Sequence, residues 1–338
     1  MRFGRLLFLS LLILLSACGE EPPKAKTPIP EEATQTLSQP RFQELENWTW
    51  AELAGEFGAV RYGTVPERSP GKGHVVLFPG FSAPIEIYFE TLRELAQDGY
   101  GVIAFDWPSQ GGSSRPLNER DKIHADSMDG HLAAAEAVLA QIDGNGPLYM
   151  LASSMGSQLG TRYLANHPDA FNAAIHVTPA YGLNTGGTPE WLARFMGNLM
   201  PGEDYTLGSQ DWDYNPDVLM GISACSSDLE RMQLWQAWMI EKPELRIGGM
   251  TYSFLDAMFE SAEISASDAV LKSIKTPIFM ATAGQDTYVQ TPVAQKGCET
   301  LENCELHHYE DAKHCLLEET DDIRVGLIEN MRAFLARH

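Results

Sequence analysis

The sequence predicts an α/β fold, a mostly parallel central sheet with helices on both faces and a mainly helical cap inserted before the last two strands. Two observations carry this. Short, nearly continuous apolar runs alternate with helix-like segments, which is how strands buried on both faces are written. The alternation then breaks between residues 183 and 267, where four tryptophans and many methionines sit in helical patterning without strand-like runs.

The strand-like runs are VVLFPG (75–80), GVIAFDW (101–107), PLYMLAS (147–153), AAIHVTPAY (173–181), PIFMATAG (277–284) and CELHHYE (304–310). Helical patterning follows at 85–97, 127–142, through 166, and at 321–337. The core therefore reads as 41–182 plus 268–338, with the cap as 183–267. Ahead of it, residues 18–40 are rich in Pro, Glu and Thr and read as an extended tether.

The first 17 residues read as a signal peptide, with Arg2 and Arg5 before the apolar stretch Leu6 to Leu15, too short for a mature membrane span. Leu15-Ser16-Ala17-Cys18 resembles the bacterial lipobox, which implies acylation of Cys18 and a membrane anchor. Gly19 rather than Asp after the cysteine implies the outer membrane in bacteria that sort lipoproteins. The formal charge of −22 excludes a nucleic-acid partner and adsorption onto anionic lipid through a basic patch. Nothing in the sequence specifies an oligomeric state.

Four further cysteines are Cys225, Cys298, Cys304 and Cys315. Export permits disulfides, and Cys298 with Cys304 across a helix-to-strand turn is a candidate bridge; buried free thiols are the alternative. No Cys/His cluster implies a metal, and no cofactor is called for.

In open α/β sheets chemistry sits at the carboxyl ends of the strands, so the stretch LASSMGSQLG (151–160), where a strand turns into a helix, is the place for a nucleophile. A nucleophile elbow needs small residues two before and two after its serine. Around Ser153 those would be Leu151 and Met155; around Ser154 they are Ala152 and Gly156. Only Ser154 fits.

Such a serine needs a base and an orienting acid, which follow it in the order acid, then His. His307 and His308 lie in one strand and His176 in another, where packing or surface roles suffice. His314 falls in the loop after the last strand, and Asp286 just past the end of PIFMATAG. Asp268 and Asp311 are weaker rivals, the first ahead of its strand and the second too near His314. For the oxyanion, the backbone N–H groups of Met155, after the nucleophile, and Phe81, after Gly80, are the expected donors.

Together these residues resemble the α/β-hydrolase family, in its branch of L2-type lysophospholipases and monoacylglycerol lipases, over about 75–338. The family's His-Gly-x segment is here Pro79-Gly80-Phe81, its D-x-R-G-x-G-x-S segment is Asp106 to Ser113 with Pro108 and Ser109 replacing Arg and Gly, and its elbow is Ala152 to Gly156. Glu318, Ser226-Ser227-Asp228 and residues 242–255 also match that pattern. The resemblance implies a serine hydrolase cleaving lipid-like esters through an acyl-enzyme, without a cofactor. A short-chain carboxylesterase, a serine aminopeptidase similar to the related proline iminopeptidases and using cap acids such as Glu241 or Glu244, and a non-catalytic binding lipoprotein are the other readings. The Trp- and Met-rich cap is either an acyl channel or packing of cap onto core.

Overall fold

The computed structural model describes residues 27–142, 146–187, 190–197, 199–215 and 225–338. The signal-peptide and lipobox readings, including Cys18, lie outside the described residues. The eight strands are β1 (Thr49–Gly55), β2 (Gly58–Val65), β3 (His74–Phe78), β4 (Gly101–Phe105), β5 (Leu148–Ser153), β6 (Ala173–Val177), β7 (Ile278–Ala283) and β8 (Cys304–Tyr309). They form one sheet in the order β1-β2-β4-β3-β5-β6-β7-β8, parallel from β4 to β8. Every residue of β4, β6 and β7 is buried, which is why these strands read as unbroken apolar runs.

The antiparallel hairpin β1–β2 had no strand signal in the sequence reading. It is an edge: β1 exposes or half-exposes all its residues, so no run of apolar side chains marks it. Trp48 lies over Gly63, where a Cβ would meet the indole at 2.3 Å, and its ring edge meets Phe89.

Helices α1 (Phe89–Gln97), α2 (Asp129–Leu139), α3 (Met155–Asn166), α7 (Asp268–Ser273), α8 (Thr291–Thr300) and α9 (Asp321–Leu335) cover the sheet. The expected helix over 85–97 begins as a 3₁₀ turn, Ile85–Tyr88, before α1. Helices α1 and α9 lie side by side, joined by Arg324 to Glu94 at 2.7 Å and Arg332 to Asp98 at 2.6 Å. The cap contributes α4 (Glu190–Gly197), α5 (Leu229–Glu241) and α6 (Tyr252–Ala266). Buried Arg231 of α5 pins the cap to the core through Glu90 at 2.7 Å and Asp321 at 2.6 Å.

The extended tether needs one correction. Residues Glu31–Ser38 form a 3₁₀ helix against α5, with Thr36 buried, Leu37 packed on the core and Gln39 and Arg41 both bonded to Glu230. A polar, Pro-rich composition hides a segment that needs only a few contact residues to dock.

The topology fixes where a site can form. From β3 the chain crosses to β4 on one side and then to β5 on the other. The loops after β3 and β5 thus diverge at the carboxyl ends of neighbouring strands, and a crevice opens between them.

Candidate active site

At the end of β5 the chain turns sharply into α3, with Ser154 at φ 51° and ψ −114°. This is a left-handed backbone conformation that costs an L-residue about 1–3 kcal/mol. The turn is held by the Ser154 N–H donating to the Val177 carbonyl at 2.8 Å. A Cβ on Gly156 would stand 2.0 Å from the Phe78 carbonyl oxygen, so only glycine allows α3 to approach β3 this closely. Ser153 remains in β5, near the Tyr88 phenol.

Ser154 Oγ lies 2.9 Å from Nε2 of His314, and Nδ1 of that ring lies 2.7 Å from Asp286 Oδ2. The Asp286 side chain is fully buried, and its other oxygen accepts the N–H groups of Tyr288 at 2.8 Å and Val289 at 3.0 Å. A carboxylate fixed by two backbone donors holds the imidazole in one tautomer, with the proton on Nδ1 and the lone pair of Nε2 toward the serine. The Tyr288 ring leans on His314, centroids 5.2 Å apart.

The rivals lie elsewhere. Asp268 is paired with Lys272 at the exposed start of α7, and Asp311 is exposed. His307 stacks on Phe279 and His308 reaches Glu310. His176 is buried beside Thr161 and Tyr181, and burial lowers its pKa to about 3.

Residues 79–82 pass in front of Ser154, with the Gly80 position 3.6 Å from Ser154 Cβ when a Cβ is built on it. Among the described residues no acceptor takes the N–H of Phe81 or Met155. Four side chains that the sequence reading missed pin this loop. Trp107 Nε1 donates to the Pro79 carbonyl at 2.7 Å, and the Gly80 N–H donates to the Tyr88 hydroxyl at 2.9 Å. The Ser82 N–H donates to Gln110 Oε1 at 2.6 Å, while cap residue Trp235 donates through Nε1 to the Ser82 carbonyl at 3.1 Å. Trp107 and Gln110 lie in the segment where the family's arginine is absent. Beneath it, Asp106 accepts from Ile85 N–H at 3.0 Å, Gly112 N–H at 2.8 Å and Arg61 at 2.6 Å.

A cleft of about 770 Å³ lies between cap helices α4 and α6 and the start of α8, lined by Tyr181, Trp191, Phe195, Phe259 and Val293 among others; Ser154, Asp286 and His314 are not part of its lining. The cap tryptophans divide by role. Trp238 is buried and meets Phe89 edge-on, Trp212 lies under Arg246, and Trp191 is 69% exposed at the cleft. Met232, Met239 and Met258 are buried packing residues.

Comparison with known proteins agrees with this geometry. The family model described as "Serine aminopeptidase, S33" matches residues 69–321. The "Probable lysophospholipase L2" of Haemophilus influenzae is 25% identical over 82% of this chain and 88% of its own length. "Lysophospholipase L2" of Escherichia coli is 25% identical over 78% of this chain and 80% of its own. Among solved structures, a soluble variant of monoglyceride lipase from Saccharomyces cerevisiae superposes with a TM-score of 0.69 at 17% identity, covering 88% of this chain and 98% of that one. With its serine, histidine and aspartate assembled on this sheet and the family model spanning both core segments and the cap, the chain belongs to the serine aminopeptidase S33 family and is a serine hydrolase of the α/β-hydrolase fold.

Proposed function

We propose that this hydrolase cleaves the carboxylic ester of a single-chain lipid, a lysophospholipid or a monoacylglycerol, through an acyl-enzyme on Ser154. The observation that carries the reading is the continuous Ser154–His314–Asp286 chain of 2.9 and 2.7 Å beside two unengaged backbone donors. The names of its lysophospholipase and monoglyceride lipase relatives support the substrate class.

In this mechanism His314 Nε2 takes the Ser154 proton as Oγ bonds to the ester carbonyl carbon. The carbonyl oxygen gains the negative charge and is held by the N–H groups of Phe81 and Met155. Asp286 stabilises the imidazolium without itself taking the proton. The C–O bond to the alcohol breaks as His314 returns the proton to it. A water, deprotonated by His314, then attacks the acyl carbon; the bond to Ser154 Oγ breaks as His314 returns the proton to Oγ, and the fatty acid leaves. An acyl chain seated against the apolar side chains of the cap contributes about 0.8 kcal/mol per buried methylene.

Cleavage of N-terminal peptides is the second reading, prompted by the family's description. It needs a carboxylate free to hold a substrate ammonium. Glu241 and Glu244 stand exposed on the cap, and the two cleft acids, Glu190 and Glu263, are both paired with Arg194. The ester reading is favoured.

The chain is further proposed to be an exported lipoprotein anchored through Cys18, on the strength of its first 18 residues and of two disulfides that fit an oxidising compartment. Outer-membrane placement follows from Gly19. The large acid excess disfavours anionic head groups.

The test is kcat/KM on monoacylglycerols, lysophosphatidylethanolamine, lysophosphatidylglycerol, short p-nitrophenyl esters and dipeptide amides, with EDTA present. Turnover of the first two above lysophosphatidylglycerol, unaffected by EDTA, is expected. Faster cleavage of the amides would move the assignment to peptides. Activity confined to acetyl esters would leave a short-chain carboxylesterase.

A further inference from the structure

The cap and the loop carrying His314 are sewn together at one place. Cys225, just before α5, is disulfide-bonded to Cys315, the residue after His314, with Cα atoms 5.1 Å apart across a sequence separation of 90. Beside the bond, the Cys315 N–H donates to the Cys225 carbonyl at 2.6 Å and Ser226 Oγ donates to the Glu318 carbonyl at 2.8 Å.

Glu319 completes the seam. It is fully buried, and its carboxylate accepts the N–H of Lys313 at 3.0 Å, of Ser227 at 3.1 Å and of Thr320 at 3.0 Å. One side chain therefore joins the residue before His314, the cap segment at 225–227 and the start of α9. On the opposite side Thr178 Oγ1 donates to the His314 carbonyl at 3.0 Å. The backbone on each flank of His314 is thus held by the cap: residue 313 through Glu319 and residue 315 through sulfur. Cys225 and Cys315 are both half-buried, whereas Cys298–Cys304 closes the turn between α8 and β8 and contacts none of these groups.

We propose that Cys225–Cys315 and Glu319 form a clasp that positions His314 against Ser154, so that opening this disulfide with a dithiol lowers turnover reversibly while the fold persists. A thiolate of the dithiol attacks one sulfur to give a mixed disulfide, and its second thiolate resolves it. Cys225 and Cys315 leave as thiols, having gained two electrons and two protons, and the reagent leaves as a cyclic disulfide. The inference rests on Ser154 and His314 being the reacting pair. It adds that the cap sets their register. Small misplacements of such a pair cost up to about 100-fold.

The experiment treats the folded chain with dithiothreitol, maps the freed thiols by alkylation and mass spectrometry, and follows kcat, KM and circular dichroism together. Opening of Cys225–Cys315 is expected to lower kcat by about 10- to 100-fold with KM within about twofold and the spectrum unchanged, and oxidised glutathione restores it. Glu319→Gln, which keeps the shape but loses one of the two carboxylate acceptors, lowers kcat in the same sense. Cys298→Ser/Cys304→Ser retains the wild-type kcat and its response to the dithiol. An unchanged kcat once Cys225 and Cys315 are mapped as thiols overturns the clasp. So does loss of kcat only in step with loss of the folded spectrum, in both the reduced chain and Glu319→Gln. Should Cys225→Ser/Cys315→Ser fail to fold, those two samples decide the matter. Retention of hydrolysis by Ser154→Ala would instead remove the underlying reading of the site, leaving the two failures distinguishable.

Discussion

Ser154 Oγ stands 2.9 Å from Nε2 of His314 although 160 residues separate them, and the serine reaches that point only through a left-handed backbone at φ 51°. The contact depends on the turn, because an extended serine at this position would continue β5. Ser154→Ala is therefore expected to fold normally and to lose about 10⁴-fold or more in kcat on p-nitrophenyl esters. Ser153→Ala, altering a residue still within β5, should stay within a few-fold of wild type. Reversal of the two results would show that the register of the turn is wrong.

Tyr88 offers a test of the loop in front of the serine. Its hydroxyl accepts the buried Gly80 N–H at 2.9 Å, and burial holds the phenol well above its ordinary pKa, hence neutral. Tyr88→Phe leaves that N–H without its acceptor, a loss of about 1–3 kcal/mol in stability. It also frees the segment that presents the Phe81 N–H. We expect kcat to fall by about 10- to 100-fold with little change in KM, since the oxyanion donor acts mainly in the transition state. A chain with lowered Tm but wild-type kcat would assign Tyr88 to packing alone.

The positions of Ser154 and Asp286 were legible in sequence because each follows a buried strand whose apolar run is unmistakable, while His314, after the half-exposed edge strand β8, was legible from its place in the loop between the last strand and the last helix. The pins of the oxyanion loop were not. Trp235 and Ser82 lie 153 residues apart, and nothing in a tryptophan's local spacing says that its N–H will meet a particular carbonyl. The same contrast separates the disulfides. Cys298 and Cys304, six apart across a turn, suggest each other, whereas Cys225 and Cys315 meet only after the cap has folded back. Edge strand β1 escaped because its half-exposed residues carry no apolar run.

Anchoring is tested at Cys18. Cys18→Ala expressed in a bacterial host should incorporate no labelled fatty acid and should partition into the aqueous phase of a detergent separation, while wild type does the reverse. Label retained by the variant would remove the lipobox reading.

Glu318 gives a pH signature. It ends a short 3₁₀ turn after His314 and is buried; burial raises its carboxyl from 4.5 to about 8, against the opposing charges of Arg324 and Arg231. A carboxyl whose folded pKa is raised binds its proton more tightly in the folded chain. Its contribution to stability is full below about 4.5, where both states are protonated, and declines as pH rises towards 8. In that window the unfolded chain releases a proton that the folded chain keeps, at up to about 1.4 kcal/mol per pH unit and a few kcal/mol in all. Above about 8 the folded chain ionises too, and the slope ends. Glu318→Gln keeps the shape and removes the titration. Its Tm relative to wild type should rise steadily from pH 5 to pH 8 and then level off. Buried His131 and His176, lowered by burial to about 4 and about 3, titrate in both chains and cancel from the difference. Parallel melting curves across that range would mean that Glu318 carries no extra proton in the fold. A variant that gains ground as pH falls would mean that the carboxyl is ionised and held by Arg324 and Arg231.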